Sequence, residues 1–278
     1  KPLLTSKITT LLNYNFAKVS CPCGSHCPCG SHLWQSSFYP LTPETCPLKP
    51  IPLTMKKLLF FLAAFLLLSY AAFRIFFYID HRSEEKQVAK NEHSLRLTPS
   101  QLDSLQEGDI ILRRGYGIFS DLIAKRLNDG RFDVTHCGIL YRKNGNWWVI
   151  HSLSSDVSNI DGMQEQPLNA FLKYSMPEKI LIVRPLYSTP QQGRAVVQRA
   201  EHYLKAQIPF DHLGTIDEPS QLYCTELIYQ ILDNDLHFVA FPTDKPQRQQ
   251  LFTTMTTLYN PKYFEIIINT YPKKQKNL

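Results

Sequence analysis

Two runs rich in β-branched and aromatic residues flank Lys143-Asn144-Gly145-Asn146. One is Val134-Thr135-His136-Cys137-Gly138-Ile139-Leu140-Tyr141-Arg142, the other Trp147-Trp148-Val149-Ile150-His151-Ser152. An Asn-Gly pair between two such runs is the strongest short-range signal for a two-residue hairpin, because both turn residues must take positive φ. The turn fixes what lies opposite what: Lys143 faces Asn146, and His151 faces Gly138. Opposed residues share a face of the sheet, and so do residues two apart along a strand. His136 and His151 thereby become diagonal neighbours, with Cα atoms about 7–8 Å apart. Gly138 leaves room for a ring to lie across it, and Cys137 points the other way. A three-residue loop would slip the register by one and separate the histidines.

A second constraint is Leu222-Tyr223-Cys224-Thr225-Glu226-Leu227-Ile228-Tyr229. Leu227, Ile228 and Ile231 recur at helical spacing and predict an amphipathic helix opening near Cys224, after a loop at Asp217-Glu218-Pro219-Ser220. A thiol in a first helical turn feels unpaired backbone N–H groups, which favour the thiolate and make a nucleophile near neutral pH. A cysteine alone reads more readily as a small buried hydrophobe, since most cysteines pack rather than react. Two same-face histidines change that reading, since the three side chains together supply a nucleophile, a base and a group to orient the base. A zinc site built from the same three lacks a fourth ligand and any close-spaced ligand pair, so neither metal nor cofactor is expected.

Five of the seven cysteines (Cys21, Cys23, Cys27, Cys29, Cys46) precede residue 50. The remainder is therefore no disulfide scaffold, although one bridge between Cys137 and Cys224 stays open. The 278 residues, 44% hydrophobic and 19% charged, suit one sizeable domain plus extras. The net charge of +6 owes much to lysines near the two ends, without a basic stripe interleaved with aromatics. No nucleic-acid partner is expected.

The segment Cys21-Pro22-Cys23-Gly24-Ser25-His26 is repeated unchanged as Cys27-Pro28-Cys29-Gly30-Ser31-His32. Thiols and imidazoles suit soft metals, but C-x-C is not zinc-knuckle spacing. Met55-Lys56-Lys57 begins an export-type segment, so residues 1–54 are expected to be a non-native or disordered extension. Residues 55–80 form the anchor or signal. Leu58 to Ile79 is apolar apart from Ser69 and Arg74 and is long enough for a bilayer that needs roughly 20 residues. Ser69-Tyr70-Ala71 could serve as a signal cleavage site, but the apolar run resumes beyond it, which favours an uncleaved anchor. Lys56 and Lys57 put the N-terminus inside and the domain outside the cytoplasm, in the periplasm or cell envelope, or secreted if the segment is cleaved. The charged stretch from Asp80 to His93 predicts a solvated linker, residues 81–96, before a folded domain at 97–278.

Within that domain the pattern predicts a strand at Ile110–Arg113, fed by a turn at Gly108-Asp109. A short helix capped by Ser120 should run through Leu127, and another should start at Pro167. A strand is expected at Ile180–Arg184, a long helix from Gln191 to Lys205 and a strand at Phe264–Ile268. Blocks of helices and strands around an antiparallel hairpin define the α+β class. Asp109 and Asp133 read as turn formers, with Asp109 and Tyr223 also candidates for the substrate cleft. Glu226 reads as a capping or ion-pair residue. Trp147 and Trp148 straddle the sheet, one in the core and one toward the cleft.

Gly108-Asp109-Ile110-Ile111, Thr135-His136-Cys137-Gly138-Ile139, Ile208-Pro209-Phe210-Asp211 and Tyr223-Cys224-Thr225-Glu226-Leu227, in that order, resemble the circularly permuted papain-like family. Its bacterial members are the YiiX/YaeF-type proteins, grouped with the NlpC-type amidases. The likeness spans roughly Leu105 to Leu232. It implies a permuted papain-like fold, an antiparallel sheet packed against helices, with the histidine strand ahead of the cysteine helix. It also implies Cys224 as nucleophile, His136 as base and His151 as the third polar residue. Many bacterial relatives look acidic at that third position, and histidine there is more similar to the lecithin:retinol acyltransferase branch. The resemblance thus implies a cysteine amidase acting on cell-wall peptides or related amides. The alternatives are a lipid-directed acyltransferase or thioesterase, and a binding module without catalysis.

Overall fold

The computed structural model describes residues 53–272 except Leu95, Tyr187, Leu213 and residues 215–218 and 242–254. The duplicated cysteine segment, the expected extension as far as residue 52, and Asp217 and Glu218 lie outside the described residues. Helix α1 (Leu53–Lys90) runs unbroken for 38 residues, about 57 Å at 1.5 Å per residue. Its apolar part has a mean hydropathy of 2.2, and among the described residues it is the one helix long and apolar enough to cross a membrane.

The expected linker is largely helix instead. Glu84, Glu85, Lys86, Gln87 and Ala89 are good helix formers as well as mostly polar, and His81 and Arg82 pair with Glu85 one turn on. Charge alone could not separate a solvated linker from a solvated helix face. The far end of α1 also docks on the domain, where Asp80 and Val88 are buried.

Next come α2 (Pro99–Asp103), capped by Thr98 and Gln101, then β1 (Ile110–Arg113) and α3 (Gly117–Arg126). The hairpin strands β2 (His136–Lys143) and β3 (Asn146–Leu153) precede β4 (Gly162–Pro167) and α4 (Leu168–Lys173). There follow β5 (Ile180–Pro185), α5 (Pro190–Lys205) and α6 (Cys224–Tyr229), which continues in wider π turns over Gln230–Asp235. A 3₁₀ turn at Met255–Tyr259 leads to β6 (Phe264–Asn269). The six strands form one antiparallel sheet in the order β4-β3-β2-β1-β5-β6, so the class is α+β.

Strand alternation divides the core. Ile110, Leu112, Cys137, Ile139 and Ile150 face α5 and α6 through Val196, Ala200, Leu227 and Ile228. Ile111, Leu140, Val149 and Ile182 face α4 through Leu168, Phe171 and Leu172.

Two further elements differ from the sequence expectation. Helix α3 starts at Gly117 rather than after Ser120, because the Asp80 carboxylate of α1 accepts the Ile118 N–H and so caps it from another element. Strand β4 (Gly-Met-Gln-Glu-Gln-Pro) has no β-branched residue. Its pairing with β3 holds it, and Glu165 adds contacts to Tyr141 and Lys143.

Candidate active site

The turn is the two-residue one: Asn144 and Gly145 sit at φ 53° and 80°. The register follows from Lys143 opposite Asn146 to Ile139 opposite Ile150. There the β2–β3 ladder ends. Beyond it β2 stays on β1, with His136 opposite Arg113, while β3 stays on β4, with His151 opposite Gln164. The β2–β3 pairing therefore ends just before the histidines, although Gly138 and His151 remain in close contact.

At this end of the hairpin His136 Nε2 lies 3.0 Å from His151 Nδ1. Both rings rest against Phe171, at centroid distances of 5.6 and 5.4 Å. Gly138 makes this possible, since a Cβ there would collide with Val149 and lie 3.1 Å from His151 Cβ.

Cys224, the first residue of α6, reaches this end of the hairpin from the side that Cys137 faces. Its sulfur is hydrogen-bonded by the Cys137 thiol and by the backbone of Cys137 and Thr225, which sets it against the peptide following His136. Both cysteines are free thiols. The start of α6 is tied down by three bonds. Leu222 N–H donates to Pro209 O at 3.0 Å, and Ser152 Oγ donates to Leu222 O. Glu226 reaches back to the Tyr223 N–H at 3.2 Å, the capping role that its position suggests.

The electrostatics divide the two thiols. The Cys137 hydrogen bond and backbone N–H groups pull the Cys224 thiol below its ordinary pKa, against the opposing effect of burial. Burial, with Cys224 as neighbour, pushes Cys137 well above. Burial, then Arg113, lowers His151 to about 3, and burial, Arg113 and His151 hold His136 well below the usual imidazole range. Both rings are thus neutral near pH 7, as a base awaiting a proton must be. His151 Nε2 is buried with no hydrogen-bond partner among the described residues.

Cys224, His136 and Tyr223 line one cavity of about 910 Å³ together with Arg113, and His151 stands behind His136. Asp109 does not reach it. Its carboxylate is 1% exposed at the other end of β1, bonded to Arg184 at 2.7 Å and to the Gln106 N–H at 2.8 Å, so it is a turn and ion-pair residue rather than part of the cleft. The tryptophans are likewise away from the cavity, stacked under Arg142 and Lys143.

Arg113 is the residue that sequence reasoning missed. It is 7% exposed, its guanidinium lies 4.8 Å over the Phe171 ring, and burial lowers it to about 10. Its charge acts on Glu84 and on Cys224. The available signal was a doubled arginine at the end of the apolar run Ile110-Ile111-Leu112, and both arginines are buried.

The chain matches no protein-family model and no curated protein. Among solved structures it is similar to the metalloprotein yiiX from Escherichia coli O157:H7, with 17% identity, a TM-score of 0.45, and coverage of 61% of this chain and 99% of that one.

Proposed function

We propose that the chain is a membrane-anchored cysteine hydrolase of the permuted papain-like kind, cleaving a carboxylic amide or ester outside the cytoplasm. What supports the reading is the histidine end of the hairpin: a sulfur whose pKa is lowered, held against the His136–Cys137 peptide, with His136 already bonded to His151. His136 uses Nε2 for His151, which leaves Nδ1 to take the Cys224 proton. For that, His136 Nε2–H donates to His151 Nδ1, and His151 orients the ring in the useful tautomer.

The Cys224 thiolate attacks the carbonyl carbon, and the oxyanion forms beside the Cys224 N–H, with the Arg113 charge nearby. His136 returns its proton to the departing nitrogen or oxygen. Water, deprotonated by His136, then cleaves the thioester and frees the thiolate. A lipid or other hydroxyl acceptor in place of water would make the same site an acyltransferase.

The test is turnover of p-nitrophenyl acetate by the full chain in detergent. A burst of nitrophenol that disappears in Cys224→Ala is expected. An equal rate in Cys224→Ala would leave a binding module without catalysis.

A further inference from the structure

We infer that α1 is a wall of the active-site cavity as well as a tether, and that the substrate is an acylated membrane lipid whose chain lies along α1 and α3. This rests on the Cys224 reading above. The cavity that holds Cys224 and His136 is lined at another side by Phe73 and Phe77 of α1 and by Phe119, Ile123 and Leu127 of α3. Its 910 Å³ is at the upper end of ligand pockets, which run roughly 300–1,000 Å³.

The docking that creates this wall is specific. The Phe77 and Phe119 rings lie 5.9 Å apart, and Asp80 caps α3. Gly117, at φ 91°, leaves the space for that carboxylate, since a Cβ there would lie 2.6 Å from Asp80 Oδ1.

Position along α1 supplies the occupant. Leu58 to Ile79 spans about 33 Å of helix, the thickness of a bilayer core, so Phe73 and Phe77 sit in its last two turns. The apolar side of the cavity is therefore level with the edge of the bilayer. Beside it α3 exposes Ile118 and Leu122, one turn apart, at 50% and 52%, with Lys125 and Arg126 in its last turn. An apolar stripe next to basic side chains is what seats a helix at a membrane surface. These aromatic and aliphatic side chains give an acyl chain an apolar stretch from the bilayer edge into the cavity, which further along α1 is lined by Asp80, His81, Glu84 and Glu85. The serine-rich segment Ser154–Ser158 and His212 form a polar part of the lining, suited to a headgroup.

The experiment uses the full chain in phosphatidylcholine vesicles and a series of p-nitrophenyl esters from acetyl to dodecanoyl. Each buried methylene is worth roughly fourfold in affinity, so kcat/KM should rise at least tenfold along the series. Phe77→Gln and Ile123→Gln should flatten that rise. A phosphatidylcholine carrying a diazirine on its acyl chain should crosslink to α1 near Phe73–Phe77 and to α3 near Phe119–Ile123, a readout that needs no turnover. Acetyl ester turnover through Cys224 with no chain-length dependence and no crosslink to α1 or α3 would overturn the inference while leaving the hydrolase standing. So would preferred cleavage of a soluble cell-wall peptide. Loss of all turnover, with the crosslinks intact, would instead remove the hydrolase reading and keep the lipid site.

Discussion

At Cys224 the protein sets two thiols side by side and assigns them opposite tendencies. Cys137 is fully buried and donates; Cys224 accepts and stays partly accessible to the cavity. Alkylation by iodoacetamide, followed by peptide mass, should therefore modify Cys224 with a midpoint below that of an ordinary thiol, which is about 8.5. Removing the donor in Cys137→Ala should raise that midpoint, and labelling at pH 6 should slow by about tenfold for each pH unit that the midpoint rises. An unchanged midpoint would contradict the donor role. The buried titratable groups also set a pH profile for stability. His151 titrates near 3 when folded and near 6.5 unfolded, so the unfolded chain takes up the proton first. Its contribution is full above about 6.5 and is lost as pH falls toward 3. Glu226 is opposite: burial, reinforced by Asp211, raises it to about 8, so its contribution is full near pH 4 and is lost as pH rises through 8. Urea midpoints measured against pH should therefore peak between the two limbs. His151→Gln should flatten the acid limb and Glu226→Gln the alkaline limb, each by a few kcal/mol at its extreme, and a flat wild-type profile would contradict both assignments.

The hairpin shows how much of the fold could be read from the sequence and why the rest could not. Asn144-Gly145 specified a turn type, the turn specified the register, and the register put His136 and His151 on one face from local chemistry alone. The approach of the Cys224 sulfur to this end of the hairpin was not legible, since it depends on α6 being held there by Pro209 and Ser152. The start of α3 and the existence of β4 were hidden for the same reason, because Asp80 and the β3 edge act from elsewhere in the chain. Asp109 was placed correctly as a turn residue and wrongly as a cleft residue, for want of its distant partner Arg184. Gly138 is the position where sequence and packing meet most directly. Gly138→Ala would drive a methyl into Val149 and crowd Ile150 O at 3.0 Å. A destabilisation of about 1–3 kcal/mol is expected from overpacking of this kind. It should come with a shift of the His151 ring resonances, and a neutral effect on both would mean that the strands are looser than this packing requires.

Across residues 53–272, the histidine end of the sheet and the last apolar turns of α1 share one cavity. Arg113, His136, Ser152 and Cys224 line the same cavity as the last apolar turns of α1. The central claim is that the Cys224 sulfur, helped by His136 and His151, forms a covalent acyl intermediate. Peptide mass spectrometry of the full chain, quenched in acid after brief exposure to p-nitrophenyl acetate, tests it most directly. The account predicts one acetyl group on the peptide bearing Cys224, strongly reduced in His136→Ala and His151→Ala. An acetyl group on Cys137, or equal labelling of Cys224 without the histidines, would contradict it.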